Sequence, residues 1–257
     1  MRDDRVAAML FSWGYFGWGN ATDRLIEVVD AIEADRGFGP PVFVDTRIRR
    51  SVRARGFQGS AFADRLGPRH RWMRGLGNEA IRTGEGGIRI SDPTQADELL
   101  DLALENESRR AIFFCSCQWP MRDGVGVCHR RTVADLVLDC ARRRAADIAV
   151  EEWPGGEPGE IEYDATPALL ASVRRGRAAV PLGPTLPAAE LRAAAWGSVV
   201  RLGDGVKAVT GPARFRAGAW ELPVMGLAEE GASGEAVRRA FGLARRGTGV
   251  PPLSSSE

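Results

Sequence analysis

Between Val6 and Trp153 short apolar runs alternate with amphipathic stretches of helical length, and that alternation leaves few architectures open. Val6 to Ser12 reads as a strand that ends in a glycine and aromatic cluster, Trp13 to Gly19. Asn20 or Thr22 is then placed to cap a helix whose Leu25, Val28, Val29 and Ile32 form one apolar stripe. Gly37 to Pro41 stops it, and Val42 to Val44 makes a buried-type strand ending at Asp45. His70 to Met73 follows as an edge-type strand, and Pro93 opens a helix capped by Ser91 or Asp92 with Leu99, Leu100, Ala103 and Leu104 inward. Ala111 to Cys115, a helix from about His129 to Arg144, and Ile148 to Trp153 complete the series. The pattern predicts an α/β fold of Rossmann-like type, a mainly parallel sheet with helices on both faces.

The 257 residues suffice for such a domain and a smaller companion, without disulfide or metal support. Residues 1–153 are expected to form the α/β domain, and Pro154 to Gly159 a linker. Residues 160–246 then change texture, with a helix at Pro187 to Trp196, short strands around Val199, Val206 and Trp220, and a helix near Gly234 to Arg245. A small α+β or β-rich appendage is expected there, followed by a disordered tail at 247–257. The net charge is +1, so any basic site must be local. No run approaches the ~18 apolar residues of a membrane helix, and the N-terminus has no signal-peptide pattern. The expectation is a cytoplasmic protein without membrane contact, whose four cysteines are thiols or metal ligands.

Phe113 to Val133 concentrates the reactive chemistry: Cys115, Cys117 and Cys128 and one of two histidines, His129, lie in it. In an open α/β sheet ligands bind beyond the carboxyl ends of the strands, where three segments should converge. They are the Trp13 to Gly19 loop, Asp45-Thr-Arg47 with the arginines Arg49, Arg50, Arg53 and Arg55 after it, and Cys115 with the loop to Cys128. Cys128-His-Arg130 stands where a helix begins, and the free N–H groups there would stabilise a thiolate or an anion. Cys140, on the apolar stripe, reads as core. Trp13, Trp18 and Trp119 are candidates for stacking on a base, or equally for packing under a loop.

Cys115, Cys117, Cys128 and His129 also number four ligands, enough for tetrahedral zinc. The spacing argues against it: two cysteines at i, i+2 of a strand lie about 6–7 Å apart, and adjacent Cys128 and His129 seldom chelate one ion. Neither a Gly-x-Gly-x-x-Gly after a strand, a Walker loop nor a serine elbow is present.

Gly17-Trp-Gly-Asn20, Val44-Asp-Thr-Arg47, Arg53-Ala-Arg-Gly-Phe57, Leu76-Gly-Asn78, Cys115 and Cys128-His-Arg130 together resemble the pattern of the uncharacterised family "domain of unknown function 488", over about residues 6–150. The resemblance implies a compact α/β domain with cysteines and arginines at its site, and no activity. Cys117, Asn78 in place of a glycine, the long loop before Cys128 and the C-terminal third depart from it.

These readings combine into an expected enzyme acting on a phosphate-bearing or nucleotide-like substrate, perhaps within nucleic acid. Cys128 would be nucleophile, His129 would shift protons and Asp45 would act as base or orienter, with Arg47, Arg130, Asn20, Trp18 and Cys115 lining the substrate. The alternatives are a non-catalytic module that binds nucleic acid or protein, and a structural zinc site at the cysteines.

Overall fold

The structure, a computed structural model, describes residues 6–122, 125–156, 159–175, 179–184, 198–203, 205–227 and 246–248. The helices expected at Pro187 to Trp196 and Gly234 to Arg245 lie outside the described residues, as does all but the start of the expected tail.

Strands β1 (Ala8–Gly14), β2 (Val42–Asp45), β3 (His70–Trp72) and β4 (Arg110–Cys115) are the first four in one sheet. Around them lie helices α1 (Thr22–Asp35), α2 (Ala61–Leu66), α3 (Glu79–Thr83) and α4 (Gln95–Glu105). A two-strand ribbon, β5 (Met121–Arg122) and β6 (Val125–Gly126), leads into α5 (His129–Arg143) and β7 (Ile148–Glu152). The C-terminal part contributes β8 (Glu160–Glu162), α6 (Pro167–Arg174), β9 (Ala179–Gly183), β10 (Ser198–Arg201), β11 (Lys207–Thr210), β12 (Arg214–Arg216), β13 (Ala219–Leu227) and β14 (Arg246–Gly247).

The first sheet runs β14-β7-β1-β4-β2-β3, parallel except for β14. Alternation along β1 divides the core as the pleat requires. Met9, Phe11 and Trp13 meet the α1 stripe Leu25, Val28, Val29 and Ile32, while Ala8 and Leu10 meet α4 and α5. Helices therefore do cover both faces of this sheet. Two helix starts differ in detail from expectation: α1 is preceded by Ala21 with no side-chain cap, and α4 begins after Thr94, whose N–H and hydroxyl both donate to Asp92.

A Rossmann-like fold with a small appendage is nevertheless not what the chain forms. Among the described residues it has two sheets of six strands each beside the β5–β6 ribbon, and the second, a curled half-barrel, is mostly antiparallel. Along the second sheet β12, β13, β11 and β10 pair antiparallel, β9 pairs β13, and β8 joins β10 in parallel. In the first sheet β4 is inserted between β1 and β2, so that the connection through α1 skips a strand, unlike the doubly wound order. The two sheets also share a core: Trp13, Trp18 and Trp153 pack with Val180, Val200, Leu202, Trp220 and Leu222, and the Trp18 and Trp220 rings meet edge to face at 5.9 Å. Within the second sheet β10–β11 and β12–β13 are local hairpins, but β8 and β9 find their partners β10 and β13 about forty residues on, and short runs punctuated by Gly and Pro do not announce that pairing.

Candidate functional site: a three-cysteine cluster

Cys115 closes β4 and pairs in register with Gly14 at the end of β1, so both stand at the carboxyl edge of the sheet. There the chain turns. The Cys117 N–H donates to Cys115 Sγ at 3.3 Å, and this turn brings three sulfurs together that a continued strand would keep apart. A side chain at Gly14 would collide with the Cys117 carbonyl oxygen, so the absence of a Cβ there lets the turn close. Cys128 is the residue before α5, and its Sγ lies 3.3 Å from Cys115 Sγ. The Sγ atoms of Cys115, Cys117 and Cys128 all lie within 4.8 Å of one another, close enough to hold a metal ion.

Cys115 and Cys128 are buried and Cys117 is half-exposed. Of the three thiols, Cys128 is the one drawn downward. Hydrogen bonds from the Cys115 and Cys117 thiols hold Cys128 far below the ordinary thiol range against the opposing effect of burial, aided by the Arg130 charge. Burial, with the hydrogen bonds to Cys117 and Cys128, pushes Cys115 well above that range. Cys117 is pulled down by Cys115 but driven up further by Cys128 and burial, to about 11.

His129 stands beside the sulfurs, with Nδ1 3.9 Å from Cys128 Sγ. Its Nε2 lies 3.1 Å from the Thr46 carbonyl oxygen and 3.2 Å from Thr46 Oγ1, whose own proton goes to the Phe114 carbonyl at 2.9 Å. Both Thr46 oxygens therefore accept, Nε2 carries the hydrogen, and in the neutral ring the Nδ1 lone pair remains on the cysteine side.

Arg130 is fully buried. It pairs through Nη1 with Glu152 at the end of β7, donates to Ser12 Oγ at 3.1 Å, and donates through Nη2 to the Cys117 carbonyl at 3.3 Å. Its Nε–H has no acceptor among the described residues. Burial pushes the Glu152 carboxyl up to about 6 although Arg130 and Ser12 draw it down. A small cleft beside the cluster is lined by Ser12, Pro120, Arg130, Arg131, Glu151 and Glu152.

The structure thus joins Cys115, Cys128, His129 and Arg130, with Cys117. It disposes of the others differently. Asp45 and Arg47 are spent on each other: Arg47 Nε and Nη2 reach the two carboxylate oxygens at 2.7 and 2.5 Å, and Nη1 donates to the Phe57 carbonyl and Tyr15 hydroxyl. This buried pair ties β2 to residues 15 and 57, and Thr46 between them is what reaches His129. Trp18 is in the core against Trp13 and Trp220, and Asn20 is exposed, its Cα packed near Gly56. Thr46, Ser12 and Glu152 are site neighbours that the sequence reading did not select. A signal for Glu152 was present, since two glutamates end a buried-type strand.

Among the described residues no helix is long and apolar enough to cross a membrane. No protein-family model matches the chain, and neither a curated protein nor a solved structure matches it.

Proposed function

We propose that the protein binds a soft divalent metal, zinc in the first instance, through Cys115, Cys117 and Cys128. The observation that carries this reading is the clustering of the three sulfurs within 4.8 Å. Tetrahedral zinc with Zn–S bonds of about 2.3 Å sets its sulfurs roughly 3.8 Å apart, so small adjustments would seat the ion. His129 is a candidate fourth donor, with one ring nitrogen donating to a carbonyl and the other 3.9 Å from Cys128 Sγ. Three thiolates and a divalent ion leave one negative charge, which buried Arg130 would offset. The argument from i, i+2 spacing loses its force because β4 ends at Cys115. Cysteines that must stay reduced suit a reducing compartment such as the cytoplasm.

Protein purified under reducing conditions without chelator should carry one zinc per chain by mass spectrometry. Cobalt substitution should give a thiolate-to-metal charge-transfer band that Cys117→Ser weakens and Cys128→Ser removes. Absence of both stoichiometric metal and the band would end the proposal.

A second reading retains the cysteine enzyme acting on a phosphate-bearing or nucleotide-like substrate. One observation favours it: Cys128 stands at the start of a 15-residue helix, with its thiol drawn downward by its neighbours, Arg130 among them. Asp45 and Arg47 have no part in it, being bound to each other. In metal-free protein, Cys128 alkylation continuing undiminished well below the ordinary thiol range, and blocked by a nucleotide, would favour this reading.

Kinship with the domain of unknown function 488 pattern is likewise a proposal, supported by how its segments pack. The Phe57 carbonyl accepts from Arg47, Gly56 faces Asn20 and Thr22 where no Cβ fits, and Gly77 lies against the Ile48 backbone in the same way.

A further inference from the structure

Residues 46–75 carry nine arginines against one acidic residue, Asp64, in a chain whose net charge is only +1. Three of the nine are neutralised by carboxylates: Arg47 by Asp45, Arg65 by Asp23 and Arg69 by Asp30. The other six, Arg49, Arg50, Arg53, Arg55, Arg71 and Arg74, have no carboxylate partner among the described residues, and all but half-buried Arg50 are exposed. Some exposed arginines of this chain find carboxylates, as Arg24, Arg89, Arg142 and Arg144 do, while others, such as Arg109 and Arg216, have none among the described residues. What sets these six apart is their concentration within residues 49–74, which makes a local positive field.

An exposed aromatic ring lies beside one of these arginines. Trp72 ends β3, the edge strand of the first sheet, and is 42% exposed. Its indole N–H donates to the Arg47 carbonyl at 2.9 Å, which fixes the ring, and the Arg50 guanidinium lies 4.2 Å from the ring centroid. Arg74 Nε reaches the Ile48 carbonyl, so the arginine loop and the edge strand form one surface. His70, on the same strand, is pushed down by burial, opposed by Asp45 and reinforced by Arg50, Arg47 and Arg71.

We propose that this face binds single-stranded nucleic acid, with a base stacked on Trp72 and the backbone phosphates on the six arginines. An exposed ring held in place beside guanidinium groups that lack carboxylate partners is the combination that single strands use, since every base offers a π-face and every nucleotide a phosphate. A duplex offers no free base to such a ring. An acidic protein segment would use the charge and leave the ring unexplained. Of the tryptophans expected to stack, Trp13 and Trp18 are buried and Trp119 is half-buried, and Trp72 takes that place on different evidence. The inference does not depend on the cysteine cluster.

The test is fluorescence anisotropy of the full chain with a labelled oligo-dT, a duplex of equal length and poly-glutamate, each over a range of salt. Single strands should bind most tightly, with affinity falling as salt rises by about 0.7 log units per log unit of salt for each phosphate engaged. Trp72→Ala should weaken binding roughly five- to hundred-fold at an unchanged salt slope, while Trp72→Phe, which keeps a stacking face, should stay within a few-fold. Arg49→Gln, Arg53→Gln and Arg71→Gln together should lower the slope by about two. Exposed positions were chosen so that the folded state persists, with circular dichroism as the check. Absence of single-strand binding, equal binding of poly-glutamate, preference for the duplex, or indifference to Trp72→Ala would each overturn the proposal.

Discussion

Replacing Arg130 by methionine tests how the cysteine cluster's surroundings are balanced. Glu152, 3% exposed at its side chain, is the carboxylate that would lose its partner. Its carboxyl stands at about 6 in the folded chain against an ordinary 4.5. The folded state thus holds this proton more firmly than the unfolded one, and ionising Glu152 costs stability. The cost is absent below about pH 4.5, grows as pH rises, and is complete above about pH 6 at roughly 2 kcal/mol. Without the guanidinium, Glu152 would stay protonated at pH 7, and holding a proton on a group of ordinary pKa 4.5 there costs about 3.4 kcal/mol. The electrostatic loss is therefore about 1.4 kcal/mol, and the lost hydrogen bonds to Ser12 and Cys117 add about 1 kcal/mol each. Urea unfolding of metal-free Arg130→Met should show about 3 kcal/mol of destabilisation at pH 7, close to that of a broken buried pair. At pH 5 folded Glu152 is mostly protonated in either protein, so the loss should shrink to about 2 kcal/mol. Adding Glu152→Leu should recover much of the pH 7 loss. A deficit equal at both pH values, or below about 1 kcal/mol, would refute this account of the pair.

Asp45→Asn should destabilise by about 3–5 kcal/mol in a thermal or urea melt, because Arg47 is left buried without its counter-charge. If Asp45 has only this structural part, the variant's cobalt spectrum should match that of the unaltered protein at a temperature where both are folded. Glu33→Gln should cost a similar amount, since Glu33 pairs with both Arg36 and Arg110 at full burial, and an unchanged melting point would contradict the assignment. Gly14→Ala should force the Cys117 turn away from β1, and metal content should fall well below that of the unaltered protein while the fold persists.

Much of the first sheet is legible in the sequence, because its elements are local. The α1 stripe, the edge strand at His70, the apolar β4 and the helix after Cys128 each follow from a period of 3.6 or 2 within a dozen residues. The clustering of cysteines is legible to the same extent: a strand end and a helix start, both at the carboxyl edge, carry Cys115 and Cys128. Strand order is not local, and nothing in the β4 run states that it inserts between β1 and β2. The same holds for β14, which returns about a hundred residues later to pair with β7, and for the short strands that curl into a second sheet as large as the first.

The site divides along the same line. Sequence alone placed Cys128, His129 and Arg130 at a helix start and Cys115 at a strand end, since residue type and position suffice for that. Tertiary structure decided what each can do, because a charged side chain is available or spent according to what lies within about 3 Å of it. Asp45 and Arg47 looked reactive and are paired, while Glu152 and Thr46 looked ordinary and hold Arg130 and His129. Cys117 looked misplaced for a metal, and one turn after β4 brings its sulfur to the other two. Burial works in the same way on the tryptophans: Trp13 and Trp18 go into the shared core, and Trp72 on the sheet edge is left to face solvent.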